Sequence, residues 1–360
     1  MAVVARAIAH VLGDVTFWDG SDATIAIAQL KAAIDEFKSL AAEKPDDDSI
    51  NENLVASYDS LGDSLRALGD YAGAAAAFTD WLNTATTLAS RARNLHQADG
   101  WLSYAADARL RLGDIFVQRK QLDDEIAEYR KGIEIAEKIS ADDPENTKYI
   151  ETASMAHGKL GDALVAAGRL DEAMGEIDRD VALTNKLVTD FSANIRWLIY
   201  QEWAHLRRGR AQMAAGRYSL AYDEFTAYLQ GVEGMRQRDP AYVSALFDES
   251  NAHQMRGDAL RMQNKLDDAA REYELARQSG VEVVRQSPPT NQAAKKILAM
   301  ADYRLGLLAE ARGDMGEAIR RYRACFDIKF LSDTWTPRAN DPEDVTQVCH
   351  HRLAQLGAGP

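Results

Sequence analysis

Proline and cysteine are scarce in this chain: its 360 residues include 8 prolines and 2 cysteines. Average usage would give about 18 prolines. Because proline interrupts helices, its scarcity beside recurrent alanine, leucine and glutamate favours an all-helical protein. Cys325 and Cys349 alone cannot build a disulfide scaffold, so we expect an apolar core to hold the fold.

Long apolar runs and excess positive charge are also missing. No uninterrupted apolar stretch approaches the roughly 18 residues of a membrane span, and Arg6 and His10 interrupt the apolar first residues, which predicts a helix and not a signal peptide. Lys and Arg number 42 against 56 Asp and Glu, a net charge of −14, so the basic surface that nucleic acids and anionic membranes attract is not expected. We expect a cytoplasmic protein that binds neither.

Catalytic and metal-binding motifs are absent from the sequence. It contains no phosphate loop, HExxH, paired CxxC or nucleophile elbow, so we expect no enzymatic activity, cofactor or metal. Cys349, His350 and His351 include zinc-ligand residue types but lack the spacing of a tetrahedral site. Three further histidines recur every 48 residues and are expected to pack between helices: His157, His205 and His253.

An internal repeat organises the sequence. Six glycines follow one another at spacings of 51, 48, 48, 48 and 49 residues: Gly62, Gly113, Gly161, Gly209, Gly257 and Gly306. Alanine stands twelve residues after five of them, and an aromatic residue stands sixteen residues after five of them. Each unit therefore predicts two amphipathic helices in close contact, because the small residues permit a close approach and the aromatic residue fills the space between them.

Turn residues and prolines mark the ends of these helices. A tight turn between the two helices is predicted at sites such as Leu68-Gly69-Asp70, with Gln263-Asn264-Lys265 as a variant without glycine. Asp142-Asp143-Pro144 predicts an N-cap carboxylate followed by a proline in the first helical position. Since one helix pair cannot bury its own apolar face, the pairs must stack.

This pattern of Leu-Gly, then Ala, then Phe or Tyr, followed by Asp-Pro resembles the tetratricopeptide repeat, although with a unit of about 48 residues instead of about 34. The resemblance implies an all-α, right-handed solenoid of antiparallel helix pairs. It predicts a degenerate N-terminal pair at 1–45, six repeats at 46–331, and a loop with a capping helix at 332–360.

In the resembling fold, the first helix of each pair lines the concave groove at positions six and three before the repeat glycine and one and four after it. Two interpretations are open for these positions: a peptide-binding groove with a row of carboxylates and a Trp/Met anchor, or packing between repeats with solvated carboxylates. The candidate residues are Asp63, Asp114, Asp162, Trp203, Leu206, Arg210, Met213, Asp258, Arg261 and Tyr303.

The sequence therefore predicts a non-enzymatic scaffold that binds a basic or amphipathic protein segment. The resemblance further implies a sensor or recruiting part, or a partner, of a bacterial signalling or defence enzyme such as a protease, kinase or TIR domain. Two alternatives stay open: a small-ligand sensor or enzyme with a closed pocket around Trp203, Arg210 and Tyr303, and a self-assembling structural module.

Overall fold

The computed structural model describes residues 20–191, 194–238, 244–328 and 345–358. It divides into two compact units, Met1–Ala167 and Gly168–Pro360. Within the described ranges every regular element is an α-helix and no residue lies in a strand. The all-α prediction is confirmed.

Unit 1 is a stack of helices in which each helix packs against the next one along the chain. The described helices of this unit are α1 Gly20–Glu43, α2 Asp48–Ala67, α3 Tyr71–Arg91, α4 Leu95–Gln118, α5 Leu122–Asp142 and α6 Thr147–Ala166. The first helices of successive pairs also touch one another, α2 with α4 and α4 with α6.

The described helices of unit 2 are α7 Leu170–Asp190, α8 Ile195–Ala214, α9 Tyr218–Arg238, α10 Ser244–Met262, α11 Leu266–Gln286, α12 Gln292–Ala311, α13 Met315–Asp327 and α14 Val345–Gln355. Their packing repeats that of unit 1: α10 contacts α12, the first helix of the next pair, and α12 contacts the last helix, α14. Parts of the predicted end segments, 1–19 and 329–344, lie outside the described residues.

The repeat glycines and aromatic residues make the predicted contact inside the five pairs that carry both residues. A Cβ added to Gly257 would lie 2.4 Å from the ring of Tyr273, and one added to Gly209 would lie 2.4 Å from the ring of Phe225. Both rings are fully buried. The glycine is therefore required because the aromatic ring occupies the place of its side chain.

Two local details differ from the sequence prediction. The N-cap of α6 is Asn146, whose side chain accepts a hydrogen bond from the backbone N–H of Lys148. Pro144 thus precedes the cap and is not the first helical residue, so that assignment was wrong; Asp143 instead ends α5. The turn without glycine forms as predicted, with Asn264 at a φ of 60°, a conformation that asparagine tolerates better than most residues.

The last helix, α14, covers the end of unit 2. Its apolar residues Val345 and Leu353 are fully buried in one core cluster with Met300 and Tyr322. A disulfide joins Cys349 on α14 to Cys325 on α13. The sequence analysis did not anticipate this bond, because two cysteines 24 residues apart give no signal of whether the fold brings them together.

Candidate functional site

Helix α8 carries the candidate site of unit 2. It begins after the N-cap Asn194, which accepts a hydrogen bond of 3.0 Å from the backbone N–H of Arg196. Contact between Gly209 and Phe225 fixes one side of α8 against α9. Residues on a different side of α8 are left available to solvent.

Three aromatic residues, each three positions after the last, form a row of contacting rings on α8. Trp197 is buried, Tyr200 is half-buried and Trp203 is 43% exposed. The ring centroids of Trp197 and Tyr200 are 6.0 Å apart, and those of Tyr200 and Trp203 are 5.5 Å apart with an edge-on geometry. The row therefore leads from the core to the surface, where Trp203 is its exposed end.

Arg196 orients this row. Its guanidinium lies 5.5 Å from the ring centroid of Tyr200, a cation–π arrangement, and its Nε donates a hydrogen bond of 3.1 Å to the Tyr200 hydroxyl. We call the surface formed by Arg196, Tyr200 and Trp203 the Trp203 face.

The other groove candidates on α8 are less accessible than Trp203. Leu206 is buried in the core cluster that contains Phe225, and Met213 packs against the same cluster. Arg210 is half-buried. Of the four predicted positions on this helix, Trp203 is thus the one that presents a large apolar surface to solvent.

The predicted carboxylate row is engaged in contacts between helix pairs. Asp258 on α10 accepts hydrogen bonds from Tyr273 at 2.7 Å and from Arg304 of the following first helix at 2.9 Å. Asp63 lies 3.5 Å from Arg111 of the next first helix. These charges are compensated within the protein, which favours the packing interpretation for them.

Asp114 shows the same arrangement in unit 1. It accepts a hydrogen bond of 2.8 Å from Tyr129 and pairs with Lys159 at 2.5 Å. Burial and the adjacent carboxylate raise the pKa of Tyr129, so this hydroxyl keeps its proton and acts as a donor. Asp162 differs, because its side chain is exposed.

The remaining candidates lie in the last two pairs of unit 2. Arg261 is half-buried on α10. Tyr303 packs its ring 6.2 Å from that of Tyr322 and against the core cluster beneath α14. Tyr303, the candidate on α12, is therefore partly covered by the C-terminal helix.

The repeated histidines contact glutamates of their neighbouring helices. His205 lies 2.8 Å from Glu224, and His253 lies 2.7 Å from Glu272. His157 is buried and lies 3.3 Å from Glu137. Among the described residues no three His, Cys, Asp or Glu side chains are grouped to hold a metal ion.

The buried carboxyl group of Glu202 was not among the candidates from the sequence. Its side chain is 3% exposed and its Oε1 has no hydrogen-bond partner. Burial, followed by repulsion from Asp248, raises its pKa to about 8. Glu202 is the seventh residue before its repeat glycine, and its contrast with the other pairs was the signal available in the sequence. In those pairs this position holds a small or apolar residue: Val55, Ala106, Ser154, Ser250 and Ala299.

An open cavity lies among the described residues of each unit. The cavity in unit 1, of about 400 Å³, is bordered by Asp48, Gln97, Trp101 and Tyr104. The cavity in unit 2, of about 370 Å³, lies beside Tyr222 and Glu272. Neither is lined by the residues around which the sequence analysis placed a small-ligand pocket: Trp203, Arg210 and Tyr303.

Comparisons with known proteins agree with this architecture. Residues 60–144 match the family model described as tetratricopeptide repeat. The crystal structure of the apo form of RapI is 11% identical, with a TM-score of 0.54 over 93% of this chain and 85% of that one. At such low identity this likeness shows the fold alone. No curated protein matches the chain.

Two further solved structures are similar at lower TM-scores. A tetratricopeptide repeat protein from Parabacteroides merdae is 14% identical, with a TM-score of 0.49 over 99% of this chain and 98% of that one. The structure described as pilF of Pseudomonas aeruginosa is 15% identical, with a TM-score of 0.46 over 77% of this chain and 93% of that one.

The fold thus defines a class: an all-α protein built from stacked antiparallel helix pairs. The resemblance to the tetratricopeptide repeat is confirmed, and residues 60–144 match that family's model. This fold is generally that of a protein-interaction scaffold. No helix among the described residues is long and apolar enough to cross a membrane.

Proposed function

We propose that the protein is a non-enzymatic scaffold that binds a segment of another protein on the Trp203 face of unit 2. The observation that carries this proposal is the exposure of Trp203, 43% for a residue type that proteins usually bury. The repeat does not need a tryptophan there, since the corresponding residues are different: Ala56, Asp107, Met155, Asn251 and Met300.

The chemistry of the face supports a protein segment as the ligand. Tryptophan, tyrosine and arginine are the residue types most enriched among those that dominate binding energy at protein interfaces. Here they adjoin one another, because Arg196 stacks on Tyr200 and Tyr200 contacts Trp203. The stacking limits the motion of these side chains before binding, so less conformational entropy is lost when a partner docks.

The charge that we propose for the partner segment follows from the net charge of this chain. The net charge of −14 attracts basic segments and repels acidic ones. Asp63, Asp114 and Asp258 of the acidic row are paired within the protein. We therefore assign the row a supporting electrostatic role and propose that the Trp203 face makes the direct contact. A basic, amphipathic segment fits both properties, and a bacterial signalling or defence enzyme is one source of such a segment.

A small-ligand sensor is the second candidate function, favoured by the cavity of unit 1. Its volume of about 400 Å³ falls within the usual range of ligand sites. Trp101 and Tyr104 supply aromatic surface, while Asp48 and Gln97 supply polar groups. This function would use unit 1 and leave the Trp203 face without a role.

A selection from a displayed library of random peptides tests the proposal. Full-length protein is expected to enrich peptides that combine apolar residues with lysine or arginine, and Trp203→Ala is expected to abolish that enrichment. Leu275→Ala is the matched control, because Leu275 is 41% exposed in the same unit but lies on the second helix of a pair. Equal enrichment on all three proteins would refute the proposed site.

The cytoplasmic location expected from the sequence is testable through the two cysteines. Disulfides are rare in a reducing cytosol and persist in oxidising compartments. The test is alkylation of intact cells before lysis, followed by mass spectrometry. Cys325 and Cys349 would be recovered as alkylated thiols if the protein resides in the cytosol, and as a disulfide if it resides in an oxidising compartment.

A further inference from the structure

The cavity of unit 1 lies against a pair of aromatic residues near the start of α4. Its border includes Trp101 and Tyr104, whose ring centroids are 5.8 Å apart with a tilt of 36°. Trp101 belongs to the buried core of unit 1, and Tyr104 packs against that core. The fold therefore holds both rings in place beside an open space of about 400 Å³.

Helix α8 of unit 2 carries the same aromatic pair at the same position of the repeat. In both helices the tryptophan and the tyrosine stand twelve and nine residues before the repeat glycine. The ring centroids of Trp197 and Tyr200 in α8 are 6.0 Å apart with a tilt of 32°. The pair in α8 therefore matches Trp101 and Tyr104 in sequence position and in geometry.

In α8 the protein places one of its own cations on this aromatic pair. The guanidinium carbon of Arg196 lies 5.9 Å from the ring centroid of Trp197 and 5.5 Å from that of Tyr200. A cation in such a position is attracted to the electron-rich faces of the rings. The Trp-x-x-Tyr pair of this repeat is therefore suited to hold a guanidinium group.

In α4 the position of Arg196 is occupied by Gly100. This glycine borders the cavity, and a Cβ added to it would meet no atom of the described residues within 4 Å beyond its own stretch of helix. The remaining pairs all carry a side chain at this position: Ser49, Lys148, Ser244 and Ala293. The glycine thus contributes to the open space beside the aromatic pair of α4.

Carboxylates of α2 border the same cavity. Glu52 is exposed, and Asp48 accepts hydrogen bonds of 2.9 and 3.0 Å from the side-chain amide of Gln97. A neutral amide leaves the negative charge of the carboxylate in place. Arg93 also borders the cavity, and its guanidinium donates a hydrogen bond of 3.2 Å to the backbone carbonyl of Asp46. Two carboxylates beside one guanidinium favour a cationic ligand.

The charge of unit 1 acts in the same direction. Residues 1–167 contain 28 Asp and Glu against 16 Lys and Arg, whereas residues 168–360 contain 28 against 26. The negative charge of the chain therefore lies mainly in unit 1. A negative potential of this kind raises the local concentration of small cations.

From these observations we propose that the cavity of unit 1 binds a small molecule through a guanidinium group. The guanidinium stacks on Trp101 and Tyr104, as that of Arg196 stacks on its own aromatic pair, and Asp48 and Glu52 supply the counter-charge. The inference rests on the second candidate function and names the chemical class of its ligand. It does not depend on the Trp203 face.

The test uses two probes of the same shape that differ in charge, N-ethylguanidinium and N-ethylurea. Each is titrated into the full chain, and binding is followed through the indole N–H resonances of the tryptophans by NMR, with Trp101→Phe to identify the resonance of Trp101. N-ethylguanidinium is expected to bind about tenfold more tightly than N-ethylurea. Equal affinities, or no binding of N-ethylguanidinium, would overturn the inference.

A variant that rebuilds the arrangement of α8 in α4 tests the location. Gly100→Arg is expected to weaken binding of N-ethylguanidinium at least tenfold without loss of thermal stability, because glycine is unfavourable inside a helix. Gly175→Arg is the matched control: Gly175 also lies within a helix, α7, and none of the described residues approaches its added Cβ within 4 Å. Glu52→Gln, at an exposed position, should weaken binding about threefold. Binding that Gly100→Arg leaves unchanged places the ligand elsewhere and overturns the proposed site.

Two further outcomes separate this inference from the function on which it rests. If both probes bind equally and Gly100→Arg abolishes the binding of both, the small-ligand function stands without a guanidinium group. If the capped tripeptide Ac-Leu-Arg-Leu-NH2 binds more tightly than N-ethylguanidinium, and Gly100→Arg abolishes this binding, the guanidinium comes from a protein segment and the small-molecule source is refuted. Peptide selection on Trp203→Ala tests the Trp203 face independently of either result.

Discussion

The hydroxyl of Tyr273 donates a hydrogen bond of 2.7 Å to the carboxylate of Asp258. The second oxygen of the carboxylate accepts a hydrogen bond from Arg304 on the next first helix. One aspartate thus joins its own helix pair to the following pair. The same three positions are filled in unit 1 by Tyr129, Asp114 and Lys159.

Loss of this aspartate should destabilise unit 2. Asp258→Asn is expected to lower the free energy of unfolding by about 2–4 kcal/mol, because Arg304 is buried and would lose its counter-charge. Asp63→Asn, at the same position of the repeat, should cost about 0–1 kcal/mol, since its ion pairs with Arg66 and Arg111 are about one-third exposed to solvent. Urea denaturation of both variants measures the difference, and equal effects would contradict it.

The repeat glycine should tolerate no side chain. Gly257→Ala is expected to destabilise the protein by about 1–3 kcal/mol, because its methyl group would overlap the ring of Tyr273. Gly234→Ala is the control: it also lies within a helix, α9, and has no atom within 4 Å of an added Cβ. We expect Gly234→Ala to be neutral or slightly stabilising in thermal melts. A melting curve for Gly257→Ala that matches the wild type would contradict the packing.

The ionisation of Glu202 should make stability depend on pH. The pKa of this group is raised from 4.5 to about 8 on folding. Between these values the unfolded chain has lost the proton that the folded protein keeps, so stability falls as the pH rises from about 4.5 to about 8. Glu202→Gln removes that fall and should be more stable than the wild type near pH 8, by about 1–3 kcal/mol. Parallel pH profiles for the two proteins would exclude a raised pKa at Glu202.

The disulfide should stabilise the cap of unit 2. Closing a loop across 24 residues restricts the unfolded chain, an effect of about 2–4 kcal/mol. Cys349→Ser is therefore expected to lower the melting temperature, and a thiol reductant should do the same to the wild type but not to the variant. A wild-type melting temperature that does not respond to complete reduction would count against this role.

The repeat could be predicted from the sequence because its physical cause is local and recurs. Gly257 and Tyr273 are sixteen residues apart in one helix pair, and five pairs show the same combination. The disulfide could not be predicted in this way, since Cys325 and Cys349 meet only through the placement of α14.

The candidate site was predictable in part. The repeat register identified Trp203 because tryptophan occurs at its position in one pair only. The repeat register did not show that the negative charge of Asp258 would be compensated, because this depends on an ion pair with Arg304 of the next helix pair. The burial of Glu202 could not be predicted from the register alone, because it depends on the space that Gly231 leaves in another helix.

The central claim is that Trp203 serves binding and not packing. Its 43% exposure predicts that Trp203→Ala changes the free energy of unfolding by less than about 1 kcal/mol, whereas truncation of a buried tryptophan costs about 3–5 kcal/mol. Removal of an interface tryptophan weakens binding by about 2 kcal/mol or more.

The most direct measurement determines both quantities on the same preparation of Trp203→Ala, with Leu275→Ala alongside. Affinity for an enriched basic peptide is measured by calorimetry and stability by thermal melting. We expect at least about a thirtyfold loss of affinity for Trp203→Ala with a nearly unchanged melting temperature, and no loss for Leu275→Ala. Retained affinity with a large fall in melting temperature would show that Trp203 is a packing residue and would contradict the proposed site.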